Sequence, residues 1–321
     1  LRTLLENAPY REHLDSRGRR QTVLVGYSES NKQLGLVASR YAVYRAQGLI
    51  AAALAAAGET HQIVHARGGS IPRGGGRIDT VVSAAPPSIV NGWLQLTEQG
   101  EGINQHYGLG PIALRTLERA FGALTQSVAA VRARRVVEPD PRMLQIAAGF
   151  AEASMNGYCA LVDGSDAFRQ WFREVTPIDV IERMQIGGRP VEREGLEGFA
   201  ALRAVPWVFA WTQNRMMLPG WFGAGVGLEA VIERFGIAEI RRAARAWPFL
   251  DQLLADIEIM LARTDLDIAQ HYEALVRQPD SNPFGRVRAE FTRARALLLE
   301  VREQQHLLDR DRTQQRALAL R

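Results

Sequence analysis

Cysteine is all but missing from this chain: Cys159 stands alone among 321 residues, which excludes an internal disulfide. It falls in an apolar helical pattern and reads as a buried small hydrophobe. Lysine is equally scarce. Of 39 basic residues only Lys32 is a lysine, and every other one is arginine. With a net charge of +4 and a pI near 9.6, this bias toward Arg and Ala reflects coding bias more than nucleic-acid binding. Lys32 therefore invites a role for a compact ammonium in place of a guanidinium. The alternative is a surface lysine left by chance. No uninterrupted apolar run approaches the roughly 18 residues that a membrane span needs. Nor does the chain contain a Walker glycine–lysine loop, a dinucleotide fingerprint or a nucleophile elbow. The start, LRTLLENAPYREHL, is neither a methionine start nor a signal peptide. The end, RTQQRALALR, reads as a helix with no stop signal. The expectation is a segment cut at both ends, with nothing opposing a cytoplasmic setting.

Apolar residues make up 46% of the chain and charged residues 23%, enough core for one large domain or two ordinary ones. Four short apolar runs read as buried strands: Gln21–Tyr27, residues 61–65, Trp93–Thr97 and Arg203–Gln213. Helical patterns separate them: residues 1–15, an Ala-rich run to Ala57 stopped by Gly58, Pro111–Arg135, a stretch from about 141 to Leu161, 166–174 and 177–184. Residues 228–276 and 285–320 read as long helices. Alternating β and α units imply a parallel sheet or barrel with its chemistry on the loops after the strands. The polar clusters there are SESNK, HARGG, TEQGE and TQNR. Four strands cannot close an eight-stranded barrel. The expected division is residues 1–225 as a partial (β/α) barrel and 226–321 as a helical region.

The most informative stretch is His61–Arg77, HQIVHARGGSIPRGGGR. Its glycines allow positive φ and close backbone approach to a ligand. Arg67, Arg73 and Arg77 supply planar forks that match phosphate and carboxylate oxygens in pairs. The loop reads as a moving clamp for a small, multiply charged anion. The alternative is a flexible RGG tract binding RNA non-specifically. His65 beside Arg67 would be held neutral and able to accept a proton. His61, four residues earlier in an extended run, lies roughly 13 Å away, too far to share an ion, and reads as structural. Glu29, at the mouth of the first strand with Lys32 beside it, suits a hard divalent ion. It suits a helix N-terminal cluster equally well. Arg189, Arg203 and Arg215 flank the fourth apolar run, where nearby glutamates could pair with them.

GYSESNK (Gly26–Lys32), HARGGSIPRGGG (His65–Gly76), LTEQGE (Leu96–Glu101) and VPWVFAWTQNRMMLPGWFGAG (Val205–Gly225), in this order, resemble the C-terminal half of phosphoenolpyruvate carboxylase over essentially the whole chain. The resemblance implies a (β/α)8 TIM barrel among many extra helices, usually a homotetramer. It implies a carbon–carbon lyase that adds bicarbonate to phosphoenolpyruvate with Mg2+ or Mn2+, giving oxaloacetate and phosphate, an anaplerotic carbon dioxide fixation. Bicarbonate attacks phosphorus to give carboxyphosphate and the enolate of pyruvate. Carboxyphosphate then releases carbon dioxide, which the enolate captures.

By resemblance Glu29 stands at one of two acidic metal ligands, and Arg67 and Arg203 hold phosphate and carboxylate. His65 is a proton acceptor in the bicarbonate step, and Arg73 on the mobile loop keeps water out. Lys32 lies beside the metal site and Arg189 behind the substrate. A dicarboxylate inhibitor, aspartate or malate, would meet Arg73, Arg263 and Arg321. Several positions depart from the family pattern. Glu29 replaces the usual aspartate, Gln33-Leu34 the common Asp-Gly pair, Ala66 and Pro72 common glycines, and Arg77 a common proline. The other metal carboxylate, the catalytic histidine and a further substrate arginine fall upstream of Leu1 in the family's order. The segment alone is therefore expected to be inactive, its partners being the missing N-terminal half and, in the full-length protein, three further copies. Two other readings are a related phosphotransferase barrel and a non-catalytic anion-binding or regulatory module on the same scaffold.

Overall fold

Two of the four expected strands form. The computed structural model describes residues 1–321 except 27, 96, 99, 137, 163–165, 185–189, 194, 196–200, 277–280 and 321, and except the side chains of 28 and 101. In chain order come α1 (Arg2–Glu6), α2 (Ala8–Ser16), β1 (Arg20–Val25), α3 (Ser28–Leu34), α4 (Leu36–Ala56) and β2 (Thr60–His65). A 3-10 turn (Ile71–Arg73) precedes α5 (Ile78–Ser83), α6 (Gly100–Tyr107), α7 (Gly110–Arg132), α8 (Pro141–Val162), α9 (Asp166–Val175) and α10 (Ile178–Arg183). Then follow α11 (Ala204–Gln213), a 3-10 turn (Leu218–Gly220), α12 (Ala224–Phe235), α13 (Ile237–Ala246) and α14 (Pro248–Arg263). The last are α15 (Leu266–Glu273), α16 (Pro283–Arg302) and α17 (Arg312–Ala319). Helix dominates, with a small sheet.

The chain divides into two units. The first comprises Leu1–Tyr27, Tyr41–Gly69 and Gly74–Glu138. The second comprises Ser28–Arg40, Ser70–Arg73 and Pro139–Arg321.

In the first unit β1 and β2 pair in parallel, from Arg20 opposite Thr60 to Val25 opposite His65. Parallel neighbours need a crossover, supplied here by the helical stretch between them. Leu5, Leu14 and Leu54 form a small core with Tyr10, Val23, Ile50 and Ala57. A second small core joins Ile78, Val82 and Ala123 to Leu94 and Ala120, where α5 packs on α7. Beyond that seam α7 leaves Leu114, Leu117 and Phe121 exposed.

The expected third strand, Trp93–Thr97, is absent: its described residues pair with no neighbour. Trp93 is 62% exposed and lies under the Arg20 guanidinium, 4.4 Å from the ring centre. A side chain so wet cannot belong to a strand covered on both faces.

The second unit is a helical assembly. Helix α12 packs against α8 and α16, and α14 against α13 and α16. Phe168, Trp171, Phe172, Trp207 and Trp211 interlock with ring centres 4.9–6.3 Å apart. None is more than 2% exposed. Buried Glu290 accepts hydrogen bonds from the Gly225 and Val226 N–H groups at 2.8 and 3.1 Å, at the start of α12. Gly225 is required there, because a Cβ would sit 2.8 Å from the Ala294 backbone nitrogen.

Three expectations change in this unit. The run Arg203–Gln213 is a helix, α11, entered through Pro206 in its first turn. Ala204, Trp207, Val208, Ala210 and Trp211 are all buried, so no amphipathic period marks the helix and its run imitates a buried strand. The long helices expected over 228–276 and 285–320 are broken. Gly236, with φ +79°, separates α12 from α13, and Trp247 followed by Pro248 separates α13 from α14. Asp265 opens α15 by capping the Asp267 and Ile268 N–H groups. Glu303, with φ +54°, closes α16. Cys159 is half-buried, its thiol 3.6 Å from the Gln33 carbonyl oxygen, and not deep in the core as its pattern implies.

Candidate active site

In the first unit β2 delivers His65 at its last position, opposite Val25. The next residue on β1's side, Gly26, has φ +71°. A Cβ on Gly26 would come within 2.7 Å of His65 Cδ2 and 2.9 Å of Nε2. The imidazole thus lies directly on the Gly26 backbone, in a space that only glycine leaves open. The arginine loop folds back over it: a Cβ on Gly74 would meet His65 Nε2 at 3.3 Å and Arg67 Cβ at 3.5 Å. Arg67 is buried to 7% exposure, and its Nη1 donates to the Gly76 carbonyl at 3.5 Å.

Tyr107 on α6 donates to Glu98 Oε1 at 3.1 Å. Burial raises the Tyr107 phenol, the Glu98 hydrogen bond and charge add to this, and the Arg67 cation opposes it. Glu98 and Arg67 therefore both act on the Tyr107 phenol. Arg77 is engaged elsewhere, with Asp79 at 2.6 Å. Burial raises the Asp79 carboxyl, but Arg77's hydrogen bond and charge outweigh it and hold the group below its usual range. His61 bonds the Ser88 carbonyl at 3.0 Å, the structural role expected of it.

The second unit gathers Glu29, Lys32, Arg73 and Arg203 on or at the end of three elements that pack against one another: α3, the turn Ile71–Arg73 and α11. Glu29, in the first turn of α3, pairs with Arg193 at 3.0 Å and is 7% exposed. That position serves the helix dipole and sets a hard oxygen donor against the Arg193 cation. Lys32 is buried in the last turn of α3, and Tyr158 donates to its carbonyl at 2.9 Å. Arg73, also buried, closes the 3-10 turn. Arg203 stands at the N-cap position of α11 without a side-chain capping bond, and its backbone N–H donates to the Val191 carbonyl at 3.0 Å. With the bridge Glu192–Leu202, that bond holds the segments bearing Arg193 and Arg203 side by side. Arg203 Nε is buried with no hydrogen-bond partner among the described residues. A guanidinium N–H left so is costly unless an oxygen from elsewhere meets it.

Arg263 ends α14 and donates to Gln314 Oε1 on α17 at 3.3 Å. Arg215 serves by its backbone, with φ +62° and its carbonyl accepting from the Asp265 N–H. Arg189 and Arg321 lie outside the described residues. Sequence reasoning missed Arg193, which sits in the glycine- and charge-rich stretch taken for a connection. It also missed Asn31, whose amide binds two backbone carbonyls. No local signal marks either residue, since their partners are far away in the chain. No three His, Cys, Asp or Glu side chains gather among the described residues as a metal cluster. No helix there is long and apolar enough to cross a membrane.

A family model for phosphoenolpyruvate carboxylase matches residues 1–321. The chain belongs to the phosphoenolpyruvate carboxylase family. It is 41% identical over 312 residues to the phosphoenolpyruvate carboxylase of Xanthomonas euvesicatoria pv. vesicatoria, covering 96% of this chain and 34% of that protein. It is 35% identical over 326 residues to the enzyme of Rhodothermus marinus, covering 100% of this chain and 35% of that protein. The Synechocystis phosphoenolpyruvate carboxylase is 33% identical over 317 residues, covering 95% and 30%. The chain thus spans about a third of the length of these curated relatives.

Proposed function

We propose that this chain is the C-terminal part of a phosphoenolpyruvate carboxylase and contributes the cations that grip the substrate. The observation that carries this is that Lys32, Arg73 and Arg203 stand on or at the end of elements packed with the helix that bears Glu29, with Arg203 Nε unmet. Phosphoenolpyruvate brings phosphate and carboxylate oxygens to such forks. In this reading Arg67 and Arg203 hold those oxygens and Arg189 supports them. His65, set on Gly26, accepts the bicarbonate proton as bicarbonate attacks phosphorus. Arg73 shields the enolate and carboxyphosphate from water until carbon dioxide is captured.

Glu29 fits a divalent ion as a single hard oxygen ligand, the remaining positions being left to substrate oxygens and ligands outside the described set. Lys32 stands beside it. Mg2+ or Mn2+, when bound, would supply positive charge to the enol oxygen as it becomes anionic. Strands β1 and β2 would be two of the eight in a TIM barrel completed by the rest of a full-length protein. That protein would be a cytoplasmic homotetramer, with a dicarboxylate inhibitor held by Arg73, Arg263 and Arg321.

Joined to the N-terminal part of a relative, the chain should release phosphate in a bicarbonate-dependent way and form oxaloacetate. Alone, it should form none. A correctly folded hybrid without turnover would overturn the reading in favour of a binding module.

A further inference from the structure

Arg73 is carried on a short turn whose carbonyls are gripped by buried Asn31 and part-buried Arg40. Asn31 Nδ2 donates to the Pro72 carbonyl and, at 3.1 Å, to the Pro219 carbonyl. One amide thereby ties the turn to the segment Leu218–Gly220. Arg40 Nη2 donates to the Ile71 carbonyl at 3.5 Å and to Asp256 Oδ2 at 2.9 Å. Gln252 Nε2 holds Asp256 Oδ1 at 2.8 Å.

Asp256 is 4% exposed and lies on α14 among buried Leu253, Leu254, Ile257 and Met260. A charge pair in such a place rarely adds stability over apolar residues of similar volume. What an apolar pair cannot do is point a guanidinium at the Ile71 carbonyl. Arg73 N–H donates to the Ser70 carbonyl at 2.9 Å, and glycines stand on both sides of the turn in Gly68-Gly69 and Gly74-Gly75-Gly76. Pro72 stiffens the turn internally without fixing its place.

We propose that Asn31, Arg40 and Asp256 are positioning residues that latch the turn Ile71–Arg73 and so hold Arg73 where it acts. The catalytic consequence rests on the carboxylase reading; the latch does not.

Hydrogen exchange followed by mass spectrometry tests it on this chain. In the paired variant Arg40→Met with Asp256→Leu, amides over residues 70–76 should exchange about tenfold faster or more, reporting local opening. Exchange over residues 253–261 of α14 and the thermal midpoint should stay near wild type. Asp256→Asn, which still offers Arg40 an oxygen, should restore most of the protection. Asn31→Ala gives an independent loosening of the same turn should the paired variant fail to fold. Unchanged exchange at 70–76 in both variants, or equal acceleration in α14, overturns the latch. In an active full-length protein the paired variant should also raise pyruvate relative to oxaloacetate, through water reaching the enolate. If that protein makes no oxaloacetate even as wild type, the carboxylase reading fails and the exchange result still judges the latch.

Discussion

His65 and Arg73 sit on the same glycine-rich stretch, in different surroundings. Shape constrains His65: its ring rests on the bare backbone of Gly26, with Gly74 close behind it. The Arg73 turn is held by bonds, from Asn31 and from an Arg40 steered by Asp256. The surroundings differ as well. The first unit rests on small apolar clusters and leaves Leu114, Leu117 and Phe121 in solvent, whereas the second closes five aromatic side chains almost completely. A close fit against bare backbone fails when a methyl is added, and a hydrogen bond fails when a partner changes its chemistry.

The largest effect should come from the aromatic core. Trp207→Ala should cost about 3–5 kcal/mol in denaturant unfolding, as large-to-small changes do in packed interiors. A loss below about 1 kcal/mol would mean that the rings are not packed as described. Next is Gly26→Ala, which combines a strained left-handed backbone with a clash against His65. It should cost roughly 1–3 kcal/mol and displace the His65 ring, visible as a changed imidazole NMR shift. An unmoved ring would remove the case for shape.

A subtler contrast lies in pH. Burial raises the Glu290 carboxyl, and the Gly225 and Val226 N–H groups and Arg293 only partly offset it. Burial raises Asp256 and Glu273 as well, against Arg40 and Trp171 respectively. The native state then keeps protons that the unfolded chain releases. The stability from these groups is full below the unfolded carboxyl pKa of about 4 and is lost as pH rises through their folded values. Glu290→Gln, which still accepts from both N–H groups, should flatten that part of the profile and be the more stable form at neutral pH. A steeper profile in the variant would reverse the assignment. The smallest effect belongs to the first unit's surface. Phe121→Ser, at a site 72% exposed, should change the stability of this chain by no more than about 0.5 kcal/mol.

What the sequence disclosed followed the range of the interactions. Strands β1 and β2 were legible because short β-branched runs end in turn residues, and β2 led straight to His65. The motifs carrying Glu29, Lys32, Arg67, Arg73 and Arg203 stood out because glycine, arginine and a lone lysine are locally conspicuous. Helix α11 reads as a strand because its sequence is apolar on nearly every face, which removes the period that separates helix from strand. The third strand was misread because Trp93–Thr97 has the composition of a strand without its burial. Arg193 on Glu29, Asn31 on Pro72 and Pro219, and Arg40 on Asp256 were invisible, since each pairing exists only once distant segments have packed.

The central claim is that cations on α3, the Arg73 turn and α11, an ammonium and two guanidinium forks, grip a doubly anionic enol phosphate. Its most direct test is Arg203→Ala in the full-length protein, read as the rate of oxaloacetate formation from phosphoenolpyruvate and bicarbonate. The account predicts a fall in kcat/KM of about 100- to 1000-fold with an unchanged thermal midpoint, as for loss of one oxyanion-stabilising donor. A value within about threefold of wild type, less than 1 kcal/mol of transition-state stabilisation, would contradict it.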